Sequence, residues 1–97
     1  MNPLDKIYSR NPDIVFRKIA NECILVPIRH KVSDLDSIYT LNEVSARIWE
    51  LIDGKRSVQE IKQIMLNEFE VGNQDLENDL AGLLANLAEL GFILQGS

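Results

Sequence analysis

The sequence predicts an α+β domain, and three observations carry that prediction. Apolar residues recur with a period of about two as far as Leu41 and of about 3.6 beyond it. The β-branched and aromatic residues gather in the first part of the chain, and the leucines in the last. At 97 residues, 45% hydrophobic and 26% charged, the composition is that of one folded domain with a single thin core.

Each element can be justified in turn. Residues 1–12 mix polar groups with Asn, Pro and Asp, and read as a flexible N-terminal arm ahead of a domain spanning 13–97. Residues 14–19 and 23–28 are strand-like runs, joined by a short connection centred on Asn21 that makes them a hairpin. Pro27 has no amide to donate to a ladder, so it belongs near the end of its strand. Residues 30–36 are a polar loop. Ser37, Ile38, Tyr39, Thr40 and Leu41 form a third strand, with Ile38 and Thr40 on one face and Tyr39 and Leu41 on the other.

Three helices follow. Asn42 caps the first, which places Val44, Ile48, Leu51 and Ile52 on one face and ends at Gly54, a residue suited to the left-handed backbone of a helix end. Trp49 lies one position off that face and reads as a flanking core residue, the alternative being an anchor for a partner protein. Ser57 and Glu60 have the spacing of a capping box, opening a second helix with Val58, Ile61, Ile64, Met65 and Phe69 on one side. Residues 71–73 break it. A third helix over 74–90 carries Leu76, Leu80, Leu83, Leu84, Leu87 and Leu90, Gly91 stops it, and residues 92–94 fold back on the core. A three-stranded sheet followed by three helices results, with the last two helices close enough to suggest a helix-turn-helix.

Charge argues against nucleic acid as a partner. The net charge is −5, and it is unevenly placed. Residues 1–56 carry nine Lys/Arg and eight Asp/Glu, whereas residues 57–97 carry Lys62 alone against seven acids. A recognition helix must approach a polyanion through neutralising cations, and this half of the chain has almost none. Most of the acids read as a solvated helix face.

Catalytic and cofactor chemistry find no foothold either. His30 is the only histidine and stands in a polar loop without a partner at ligand spacing. Cys23 is the only cysteine, which excludes an intrachain disulfide, and its apolar run marks it as a small buried hydrophobe. Asp34 and Asp36 lack the further oxygens of a Ca²⁺ site, and no phosphate-binding glycine motif is present. The expectation is a non-enzyme without cofactors. No basic-then-apolar signal opens the sequence, and no apolar run nears the ~18 residues that span a bilayer, so a cytoplasmic protein without membrane contact is expected.

A binding module remains. The third strand has no later strand to cover it, so its edge can accept an extended peptide through backbone pairing, and equally a second copy in a homodimer. The leucines of the third helix form a face wider than packing requires. They are either all core, or some line a groove beside that strand.

The segment Leu41-Asn42-Glu43-Val44-Ser45-Ala46-Arg47-Ile48-Trp49-Glu50-Leu51-Ile52-Asp53-Gly54, with Arg56-Ser57-Val58-Gln59-Glu60-Ile61, resembles the PqqD family. So does the ending formed by Asp79, Leu83, Leu84, Leu87 and Gly91-Phe92-Ile93. The resemblance implies a winged-helix-like domain that recognises ribosomally made, post-translationally modified peptides. Such a domain holds the leader of a precursor peptide as an added strand and presents it to a modifying enzyme, often a radical S-adenosylmethionine protein. Carried onto this chain, it implies leader pairing along Ser37, Ile38, Tyr39, Thr40 and Leu41, with Leu80, Leu83, Leu84 and Leu87 as candidates for the facing wall. Residues 32–40 depart from the shorter turn of members in pyrroloquinoline quinone (PQQ) synthesis, so the domain is implied rather than one pathway. The alternative is a winged-helix transcriptional or protein–protein regulator.

Overall fold

The computed structural model describes residues 3–28 and 38–96. After a 3-10 turn at Pro3–Asp5 come strands β1 (Tyr8–Arg10), β2 (Ile14–Ile19), β3 (Glu22–Pro27) and β4 (Tyr39–Leu41). Helices α1 (Glu43–Leu51), α2 (Val58–Glu68) and α3 (Asn73–Glu89) follow, and strand β5 (Ile93–Gln95) closes the order. The expected architecture is present: an antiparallel sheet β2-β3-β4 followed by three helices, an α+β fold.

The β2–β3 turn is tight because Ile19 pairs directly with Glu22, leaving two residues between. Its left-handed residue is Ala20, at φ 56°, rather than Asn21. An alanine there costs roughly 1 kcal/mol relative to glycine, which the six-pair ladder behind it offsets. Pro27 is the last residue of β3, where its missing amide costs nothing.

The N-terminal residues differ from expectation. Residues 8–10, read from sequence as part of a loose arm, form β1 and pair antiparallel with β5 from Tyr8↔Gln95 to Arg10↔Ile93. Further amides secure this segment. Gly54 N–H donates to the Tyr8 carbonyl and Val58 N–H to the Lys6 carbonyl, both at 2.9 Å. The Asn11 side chain donates to the carbonyl of Gly91 at 2.9 Å. Three short polar-apolar residues carry no periodicity, so the strand exists through its partner and not through local preference.

The helix ends follow the sequence closely. Asn42 Oδ1 accepts from Ser45 N–H at 2.8 Å. Ser57 and Glu60 form the full capping box, with Ser57 N–H donating to Glu60 Oε1 at 2.8 Å and Glu60 N–H to Ser57 Oγ at 3.2 Å. At the end of α3, Gly91 (φ 78°) allows its own N–H to reach the Ala88 carbonyl and that of Phe92 to reach Leu87, the paired bonds of a Schellman motif.

The core lies where all three helices meet the inner face of the sheet. Leu25, Ile52, Met65 and Leu87 are fully buried, and Trp49 is 2% exposed, which places the tryptophan in the core. Phe92 and Ile93 are buried beside them, as the fold-back predicts. Cys23 is half-buried and packs against the edge of the core rather than within it. Lys62 is the single buried charged residue among the described residues, its Nζ donating to Glu77 Oε2 at 2.7 Å.

Candidate functional site

Strand β4 is bonded to β3 on one side, through Cys23↔Leu41, Ile24↔Thr40 and Leu25↔Tyr39. Among the described residues its other side carries no strand. Side chains alternate along it as the sequence predicts. Tyr39 and Leu41 turn inward, Leu41 being buried, while Ile38 and Thr40 are exposed. Ser37, placed in this strand from sequence, lies outside the described residues, as do His30, Asp34 and Asp36.

Beside β4 is a cleft of about 280 Å³. Tyr39 stands on the strand side, Asn42, Val44, Ser45 and Ile48 come from α1 and its cap, and Asp79, Leu83 and Asn86 come from α3. The three α3 residues share one stripe because steps of three and four residues return to the same helix face. Phe92 packs edge-on against Tyr39, with ring centroids 6.4 Å apart and planes at 71°. The turn after α3 therefore braces the tyrosine, and with it the spacing between strand and helix.

The four leucines expected on the facing wall separate. Leu83 lines the cleft. Leu80 and Leu84 line a different hollow of about 480 Å³, on the far side of α3, whose other walls include Leu4, Tyr8 and Val58. Leu87 is fully buried and lines neither. All four belong to one core cluster. Asp79 and Asn86 share the cleft with Leu83, and the signal for them was available: they fall on its helix stripe at 100° per residue. Apolar patterning passes over them because they are polar.

Next to the open edge of β4, the cleft offers an aromatic ring, an apolar floor and a few polar side chains. Among the described residues no group of three His, Cys, Asp or Glu side chains is placed to hold a metal ion. No helix among the described residues is long and apolar enough to cross a membrane.

A family model described as coenzyme PQQ synthesis protein D (PqqD) matches residues 22–93, from the start of β3 into β5. The chain belongs to the PqqD family. Two solved structures resemble this PqqD-family domain. A lasso peptide synthetase B1 complexed with the leader peptide superposes with a TM-score of 0.71 at 25% identity, covering 90% of this chain and 96% of that one. TbiB1 in complex with the TbiA(beta) leader peptide gives a TM-score of 0.69 at 24% identity, covering 88% and 93%, a likeness of fold. No curated protein matches the chain. Strands β1 and β2 lie outside the stretch matched by the family model.

Proposed function

We propose that this PqqD-family chain is a non-catalytic recognition domain for the leader of a ribosomally made precursor peptide. It binds the leader as an added strand on β4, in the cleft facing α3, and presents the peptide to a modifying enzyme. The observation that carries the reading is the unpaired edge of β4 beside a cleft, in a fold shared with two leader-peptide complexes. Pairing along residues 37–41 supplies affinity through main-chain bonds. Tyr39, Leu83 and the polar groups of α3 supply selectivity through the guest's side chains.

The role is one of effective concentration. A domain that holds leader and enzyme together makes the enzyme's encounter with the rest of the peptide intramolecular, and needs no chemistry of its own. A radical S-adenosylmethionine enzyme is the partner class the family resemblance implies, and the cytoplasm is where such peptides are made and modified. The acidic second half of the chain gives the regulator alternative no support.

Amide hydrogen exchange tests the docking mode, with synthetic leader peptides taken from short open reading frames neighbouring this gene as ligands. Alternate residues of an edge strand point their amides outward. The expected result is slowed exchange at either Thr40 or the pair Tyr39 and Leu41, together with shifts of the Leu83 and Asn86 resonances. Protection confined to the β2–β3 hairpin would sink the proposal.

A further inference from the structure

The cleft beside β4 does not close at Asn42. It continues past the start of α1 into a second hollow of about 530 Å³, lined in part by Glu70, Asp75, Leu76 and Asn78. Val44 and Asp79 border both spaces, which makes them one groove. No Lys or Arg lines it, and three carboxylates do: Glu70, Asp75 and Asp79. The neighbouring acids are otherwise engaged. Glu60 closes the capping box, Glu68 is gripped by Arg47, and Glu77 holds Lys62. Asp75 also complements the amino end of α3, in whose first turn it sits. Asp79, more than a turn further on, has no such structural duty.

Geometry adds a direction to this charge. Every pairing within β2-β3-β4 is antiparallel. A guest strand continuing that pattern on β4 runs opposite to Tyr39–Leu41, so its N-terminal part extends beyond Leu41 over the carboxylates. We infer that the groove selects leaders carrying Lys or Arg just N-terminal to the segment that pairs with β4, with Asp79, at the junction of the two hollows, as the specificity-determining residue. This rests on the leader-binding reading and deepens it. The attraction acts over about 10 Å at ordinary ionic strength, so it reads only cations delivered into the groove itself.

A displayed random peptide library, panned against the full chain and against its E70Q/D75N/D79N variant, tests the inference. Wild-type pools should enrich Lys and Arg ahead of a β-branched or aromatic stretch, and variant pools should not. A synthetic peptide from the wild-type pool should bind the variant about tenfold more weakly at low salt, a gap that narrows in high salt. D79N alone should account for the largest share, and it serves as the test if the triple variant loses its fold. E89Q removes the same charge on α3 outside the groove and should leave affinity unchanged; an equal loss there would make the effect one of net charge and overturn the inference. Binders that protect β4 amides but show no cationic bias overturn the charge selection and leave leader binding standing. Binders that leave β4 unprotected, or no binders at all, overturn both.

Discussion

Lys62 is the one charged residue buried among the described residues, and it ties α2 to α3 through Glu77. Its side chain is 9% exposed while that of Glu77 is 41% exposed, so the two ends of their ion pair are solvated very differently. Removing the partner of a buried charge costs more than removing an exposed one. Glu77→Gln is therefore expected to destabilise by roughly 1–3 kcal/mol, because it leaves the ammonium buried without its counter-charge. Lys62→Met keeps the packing of the methylene stem and leaves a carboxylate that water can reach, so its cost is expected to stay within about 1 kcal/mol. Urea unfolding followed by the fluorescence of Trp49, the only tryptophan, measures both. Equal costs for the two variants would contradict the asymmetry. At this scale the sequence was legible at the helix ends, as at Asn42, Ser57 and Gly91, and less so at the β2–β3 turn, where Ala20 takes the left-handed position. It was silent on which acid meets Lys62, since that pairing depends on how two helices cross.

Among the elements, β1 is the one whose importance exceeds its length. Three residues alone would not hold a strand, yet β1 sits between β5 on one side and the connection from α1 to α2 on the other. Deleting residues 1–10 removes those bonds and uncovers the Leu80 and Leu84 side of α3. It is expected to lower stability by ~3 kcal/mol in urea titrations while leaving the three helices visible by circular dichroism. A change below ~0.5 kcal/mol would return this segment to the loose arm that its composition suggests. The helices and the hairpin could be read directly because their periods and caps are local. β1 could not, since a strand of three residues is set by a partner more than eighty positions away. The groove was half legible for the same reason. Open strand and leucine-rich helix were both visible, but the rotation of α3 that turns Leu83 toward Tyr39 and Leu80 away is a tertiary fact.

At the scale of the whole molecule, the described residues span 37 × 34 × 19 Å, about two packed layers in the thin direction. On so flat a body the clefts beside α3 lie at the surface. Charge organises that surface too. Arg47 on α1 grips Glu68 at the end of α2 through two bonds of 2.8 and 2.7 Å and reaches Glu50 at 3.3 Å. The hydrogen bond from Arg47 holds the Glu68 carboxyl below its usual range. Asp53 is held low in the same sense by the amides of Arg56 and then Lys55. Folded values below the unfolded ones mean stability that is present above the ordinary carboxylate range and lost as pH falls through the folded values. Urea midpoints should therefore be level from neutral pH to about 5 and decline below about 4, and Glu68→Gln should shallow that decline. A steeper acid limb in the variant would contradict the assignment.

The pairing of β1 with β5 has one more consequence. Gly96 N–H donates to the Ile7 carbonyl at 2.6 Å, so the first and last strands meet side by side. This bond lies at the Tyr8↔Gln95 end of that ladder, and Leu4, Lys6 and Tyr8 line the side of α3 turned away from the β4 cleft. A domain whose first and last strands adjoin is modular in the mechanical sense. It can be spliced as a single loop into a longer polypeptide, or its ends joined and a new opening cut elsewhere, without disturbing the groove.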